Sequence, residues 1–119
     1  MEICLVWGAK TIALAGLSFS LSWTHSVEKV EWREQWQLSP AGLTLTEARV
    51  KGSGAGMEPG DEAVLIDGWW VWKPRLPAQP QLTLAASGAT VSPWTLCDGS
   101  QCRDIGVTSS TPAVIKSCP

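Results

Sequence analysis

The stretch Ser18-Phe19-Ser20-Leu21-Ser22-Trp23-Thr24-His25 decides the fold class. Phe19, Leu21, Trp23 and His25 fall on one side of an extended chain, with Ser18, Ser20, Ser22 and Thr24 on the other. Successive side chains of a strand point to opposite faces, so a period of two marks a half-buried strand. The same period runs outward from there. From Val30 to Leu38 the even positions read Val, Trp, Glu, Trp, Leu and the odd positions Glu, Arg, Gln, Gln. Ser39-Pro40-Ala41-Gly42 supplies a turn, and Leu43 to Lys51 forms the next strand. Ile3–Trp7 and Thr11–Ala15, joined around Gly8–Lys10, read as an opening hairpin. Asp67-Gly68, between Ala63–Ile66 and Trp69–Trp72, is a strong hairpin signal because a type I′ turn needs two residues at positive φ. Pro74–Pro80 reads as a loop or edge, Gln81–Ser87 alternates again, and Trp94–Cys97 leads into an Asp98-Gly99 turn. Residues 105–119 are rich in Ser, Thr and Pro and read as a wrapping tail. The expectation is one all-β domain over 1–119, a small sandwich or barrel of about seven to nine short, mostly antiparallel strands.

Composition narrows the classes. A chain of 119 residues supports one hydrophobic core, and 45% apolar with 17% charged residues excludes a disordered tail. Lys and Arg number 9 against 11 Asp and Glu, for a net charge of -2. No window supplies the basic stripe that a nucleic-acid binder needs. The apolar stretch Ile3 to Ala9 ends at Lys10, far short of the roughly 20 residues of a membrane span. Glu2 offsets the charge of Lys10 and no clear small-residue cleavage site follows, which makes the start a poor signal peptide.

The cysteines are Cys4, Cys97, Cys102 and Cys118. Cys97 and Cys102 flank a short Asp-Gly loop and can sit opposite each other on a hairpin, within reach of a disulfide. Cys4 and Cys118 lie at the two chain ends, which are often close in space, and a bond between them is open. A four-cysteine zinc site usually shows two close ligand pairs, whereas only one is present. Disulfides would place the protein in an oxidising compartment.

Several residues can carry chemistry. If the turn at 39–42 sets a regular register, Glu34 faces Glu47 and Trp32 faces Arg49, which puts two opposed carboxylates and a diagonal Arg49 on the apolar face. A bulge would move one carboxylate to the other face. The alternative to a site there is an Arg–Glu network at a sheet rim. His25, the only histidine, ends an apolar stripe and is followed by Ser26 and Glu28. Its neighbour Ser26 points to the opposite face, so the two do not make a hydrolase pair. The loop Gly52-Ser53-Gly54-Ala55-Gly56-Met57-Glu58-Pro59-Gly60 lacks the Lys and Ser/Thr of a phosphate-binding loop. It suits a close backbone approach or an anion held on exposed N–H groups. Trp70 and Trp72 face one side of their strand and Trp69 the other. An exposed indole row can stack on sugars, and a buried one can seal a core.

The run Trp23–Lys29 with Glu31-Trp32, the run Glu47–Pro59, the segment Asp67–Trp70, and Trp94–Cys97 with Cys102 resemble the bacterial family named domain of unknown function 1850. The likeness covers the chain from Cys4 to Arg103. It implies a small exported or membrane-anchored protein, encoded beside TRAP-type transporters with TAXI-type solute-binding proteins. The expected function is therefore a non-enzymatic periplasmic accessory or ligand-binding domain with no cofactor and no metal. Its expected partner is a TRAP-type subunit or solute-binding protein. The candidate contact residues are His25, Ser26, Glu28, Glu31, Arg49, Gly54, Gly56 and Met57. The alternative is a stand-alone Trp-rich module for carbohydrate or another small molecule, using Trp69, Trp70 and Trp72. Among enzymatic readings, only paired carboxylates such as Glu34 and Glu47 could run acid–base chemistry.

Overall fold

Alternating apolar side chains collect the strands into two antiparallel sheets that face each other. The computed structural model describes residues 1–24, 30–51, 62–84, 93–106 and 112–119. The smaller sheet contains β1 (Ile3–Trp7), β2 (Lys10–Ala13), β8 (Gln81–Leu84) and β11 (Ala113–Ser117), in the order β2-β1-β11-β8. The larger contains β3 (Ser18–Thr24), β4 (Glu31–Ser39), β5 (Gly42–Lys51), β6 (Val64–Ile66), β7 (Trp69–Trp72), β9 (Trp94–Cys97) and β10 (Cys102–Ile105), in the order β10-β9-β3-β4-β5-β7-β6. Ile3, Leu5 and Ile115 from the small sheet meet Phe19, Leu21, Leu43 and Leu96 from the large one, all essentially inaccessible to water. Each such burial is worth about 1.5–3 kcal/mol, so the facing layers hold the sandwich together.

The all-β expectation holds, with eleven strands among the described residues rather than seven to nine. One of the added strands comes from the segment whose composition reads as a tail. Ala113–Ser117 lies in the middle of the small sheet, between β1 and β8, with Ala113 and Ile115 fully buried. The short apolar alternation Ala113-Val114-Ile115 outweighs its polar surroundings, because pairing on both edges satisfies its backbone.

Turn chemistry fits the positions. Asp67 and Gly68 both have positive φ, 49° and 84°, as the β6–β7 hairpin requires. Gly42 sits at φ 123°, and a Cβ there would lie 2.7 Å from the Gln79 carbonyl oxygen. Its missing side chain lets residue 79 come alongside β5, where Leu43 and Gln79 exchange two backbone hydrogen bonds of 2.8 Å.

All four cysteines are in disulfides, Cys4–Cys118 and Cys97–Cys102, so no thiolate set remains for zinc. The first bond joins the start of β1 to the residue after β11, which are already adjacent strands. Closing a loop of this length is worth on the order of 4–5 kcal/mol in the chain-entropy account. The second crosses the β9–β10 hairpin, where Cys97 and Cys102 are register partners.

Asp98, in the β9–β10 turn, ties the two sheets to one another. Its carboxylate, with a side chain only 1% exposed, accepts hydrogen bonds from the Ala15 N–H (3.0 Å), the Ser100 N–H and hydroxyl (2.9 Å each) and the Gln101 N–H (3.0 Å). Ala15 belongs to the link between β2 and β3, where the chain leaves the small sheet for the large one. The Arg103 guanidinium stands 3.6 Å away. These backbone N–H donors, Ala15 first, hold the Asp98 carboxyl far below the ordinary carboxylate range. A depressed folded pKa gives stability that is complete above the unfolded value and lost as pH falls through the folded one. Urea unfolding should therefore show stability falling as pH drops below about 4. Asp98→Ala should cost about 3 kcal/mol at pH 7, the order expected when buried donors lose a charged acceptor. It should also flatten that acid slope.

Candidate functional site

One extra residue in β5 creates the candidate site. Leu38 pairs with Leu43 and Trp36 with Leu45, but Gln35 then pairs with Glu47, Glu34 with Ala48, Arg33 with Arg49 and Trp32 with Val50. Thr46 is the residue left over, and its hydroxyl donates to the Gln35 carbonyl at 3.0 Å. Such a β-bulge reverses the side-chain parity beyond it. Leu43, Leu45, Ala48 and Val50 consequently all point to the core, while Glu47 and Arg49 point outward.

This corrects the regular register expected from the turn. Glu34 does not face Glu47, and Arg49 does not share the apolar face with it. The two carboxylates lie on opposite sides of the sheet. Glu34 stays inside, where it accepts a hydrogen bond from Trp36 Nε1 at 3.0 Å. Burial raises its carboxyl above the ordinary value, and the Trp36 bond opposes that shift.

On the outer face, two rows of side chains cross the sheet in register. Cys97, Ser20, Gln35 and Glu47 make one, and Thr95, Ser22, Arg33 and Arg49 the other. Together, with Glu34 between Arg33 and Gln35 on the β4 wall, they line a groove of about 430 Å³ with walls from β9, β3, β4 and β5. The four strands thus hold its polar groups on a hydrogen-bonded sheet rather than on loops. At the arginine end, Arg33 Nε donates to Glu31 Oε2 and Arg49 Nη2 to Glu47 Oε2, both at 2.8 Å. These pairs are partly exposed, so they orient the guanidinium groups more than they stabilise the fold. The Trp69 ring lies against the same cations. Its centroid is 4.9 Å from the Arg33 guanidinium carbon, 5.9 Å from that of Arg49 and 5.4 Å from Lys51 Nζ.

Four indoles gather on the inner face. Trp23 stacks on Trp32 at 6.1 Å, Trp94 tilts against Trp23 at 4.8 Å, and Trp72 meets Trp32 edge-on at 5.9 Å. Among the described residues, Trp32 Nε1 is buried there without an acceptor.

Of the candidate residues, Glu31 and Arg49 come to one surface, bridged by Arg33. His25, Ser26, Glu28, Gly54, Gly56 and Met57 lie outside the described residues. Cys97 and Cys102 are bonded, and Cys97 borders the groove. Trp69, Trp70 and Trp72 do not form an exposed row. All three are half-buried, Trp69 on the outer face under cations and the other two on the inner face. Sequence reasoning missed Arg33, Lys51 and the hydroxyls of Ser20, Ser22 and Thr95. The odd positions of β4 and the serine side of β3 carry that signal, as the polar faces of two adjacent strands.

Because the folded Glu34 carboxyl is raised, its stabilising effect is complete below the unfolded pKa and fades as pH rises through the folded one. Glu34→Gln keeps an acceptor for Trp36 Nε1 and removes the buried charge. Thermal unfolding should show the variant gaining on the parent between pH 4 and pH 8. A parallel pH dependence of the two proteins would contradict a buried, ionising Glu34.

Comparison with curated proteins and with solved structures gives no match. The family described as a domain of unknown function, DUF1850, matches residues 19–105. That segment holds β3 from Phe19 onward and all of β4 through β10, and with them every wall of the groove. The chain belongs to the DUF1850 family.

Proposed function

We propose that the chain is an exported, non-enzymatic binding domain that acts as an accessory to a TRAP-type transporter. In this reading the outer groove receives a small ligand or a segment of a partner protein. The observation that carries it is the groove itself, with polar side chains from four adjacent strands converging on about 430 Å³. That volume lies within the range of small-molecule sites. Two disulfides support a periplasmic or otherwise oxidising location. Among the described residues no helix is long and apolar enough to cross a membrane. The placing of Glu34 and Glu47 on opposite faces supports a binding rather than an acid–base role. The transporter association comes from the family resemblance.

The Trp32 indole N–H favours a second reading, a Trp-rich small-molecule module. A buried donor that finds no acceptor among the described residues, set between a stacked indole and an edge-on one, is what a ligand oxygen would satisfy.

Tagged protein purified from its native envelope, with mass spectrometry of what accompanies it, tests the first reading. TRAP-type membrane subunits or a solute-binding protein should be recovered, and Arg49→Glu should abolish that recovery. Clean isolation without partners, or recovery unaffected by Arg49→Glu, contradicts it.

A further inference from the structure

Arg33 and Arg49 are direct cross-strand partners on the outer face. Opposed side chains in an antiparallel pair have Cβ atoms about 4.5–5.5 Å apart, and like charges there are destabilising. Lys51 adds a third cation against the same Trp69 ring. Among the described residues two carboxylates, Glu31 and Glu47, are paired with this group, which leaves three cations against two anions there. Each arginine makes one hydrogen bond among the described residues, through Nε of Arg33 and Nη2 of Arg49. Most of the five N–H donors of each guanidinium are therefore still free to act.

We propose that Arg33, Arg49 and Lys51, gathered on Trp69, form an oxyanion-binding subsite at one end of the groove. This rests on the reading of the groove as a binding site and names what it binds. The ligand class is a small, hydroxylated molecule bearing a carboxylate or phosphate group. The oxyanion bridges the two guanidinium forks and relieves their repulsion, accepting charge-assisted hydrogen bonds from both. Glu31 and Glu47 hold the forks in place from the flanks, and Trp69 supplies a rigid, electron-rich support. The remaining lining suits the rest of such a molecule. Ser20, Ser22, Gln35 and Thr95 offer hydroxyl and amide groups, which exchange hydrogen bonds with ligand hydroxyls.

Calorimetric titration with gluconate, glucose 6-phosphate and glucose tests this, since the three probes share a polyol and differ in carboxylate, phosphate or no charge. Sodium chloride keeps the ionic strength equal throughout. At least one of the anions should bind with 1:1 stoichiometry and glucose should not, and which anion binds identifies the oxyanion. Arg33→Gln and Arg49→Gln should each weaken binding by roughly tenfold or more, the order for losing a charged hydrogen-bond donor. Arg33→Lys should weaken it too, because an ammonium keeps the charge and loses the fork. Lys116→Gln, on the small sheet, should leave it unchanged, and circular dichroism confirms that each variant folds. No binding of either anion at millimolar concentration, or binding indifferent to both arginine substitutions, overturns the proposal. A failed titration with intact envelope capture removes the oxyanion subsite and leaves the accessory role standing. Anion binding without a captured partner keeps the subsite and removes the transporter role.

Discussion

The bulge at Thr46 is the constraint on which the rest of the candidate site depends. Without an extra residue, β5 would carry Glu47 and Arg49 toward the core and leave Ala48 and Val50 facing water. Burying two charges instead of two apolar groups would cost several kcal/mol for each ion. The bulge removes that conflict at the cost of one interrupted ladder position, which the Thr46 hydroxyl partly repairs through the Gln35 carbonyl. It also brings Arg49 level with Arg33 and Glu47 level with Gln35. A packing requirement on one face thereby assembles a charged groove on the other.

That groove needs a rigid floor, and the anchoring lies elsewhere in the molecule. The Cys4–Cys118 bond fixes the central strands of the small sheet, whose inner residues cover Phe19 and Leu21 from β3. Asp98 fastens the β9–β10 turn to the link between sheets, and Cys97–Cys102 closes the same hairpin. The groove wall from β9 is therefore held by a buried carboxylate on one side and by pairing to β3 on the other. Hydrogen bonds to a charged, buried acceptor are worth more than neutral ones, which is why this turn keeps an aspartate.

Much of this fold was legible in the sequence. Phe19-Leu21-Trp23 against the intervening serines gave β3 and its faces, and Asp67-Gly68 marked a hairpin through its backbone demand. Cys97 and Cys102 announced a bonded hairpin through their spacing. The bulge was legible as well, because the apolar parity in Leu43-Thr44-Leu45-Thr46-Glu47-Ala48-Arg49-Val50 switches from odd to even. A register counted from the turn alone ignores that switch and sends Arg49 to the wrong face. Two other features were beyond local pattern. Ala113–Ser117 becomes a strand only because β1 and β8 flank it. The approach of Trp69 to Arg33 depends on strands distant in sequence lying in one sheet.

The account stands on the β4–β5 register, and nuclear Overhauser contacts between the two strands measure it directly. The bulged register predicts cross-strand backbone contacts of Arg33 with Arg49 and of Gln35 with Glu47. Contacts of Trp32 with Arg49 and of Glu34 with Glu47 would mean a regular hairpin. Glu47 and Arg49 would then lie inside, and the outer groove would lose its second arginine.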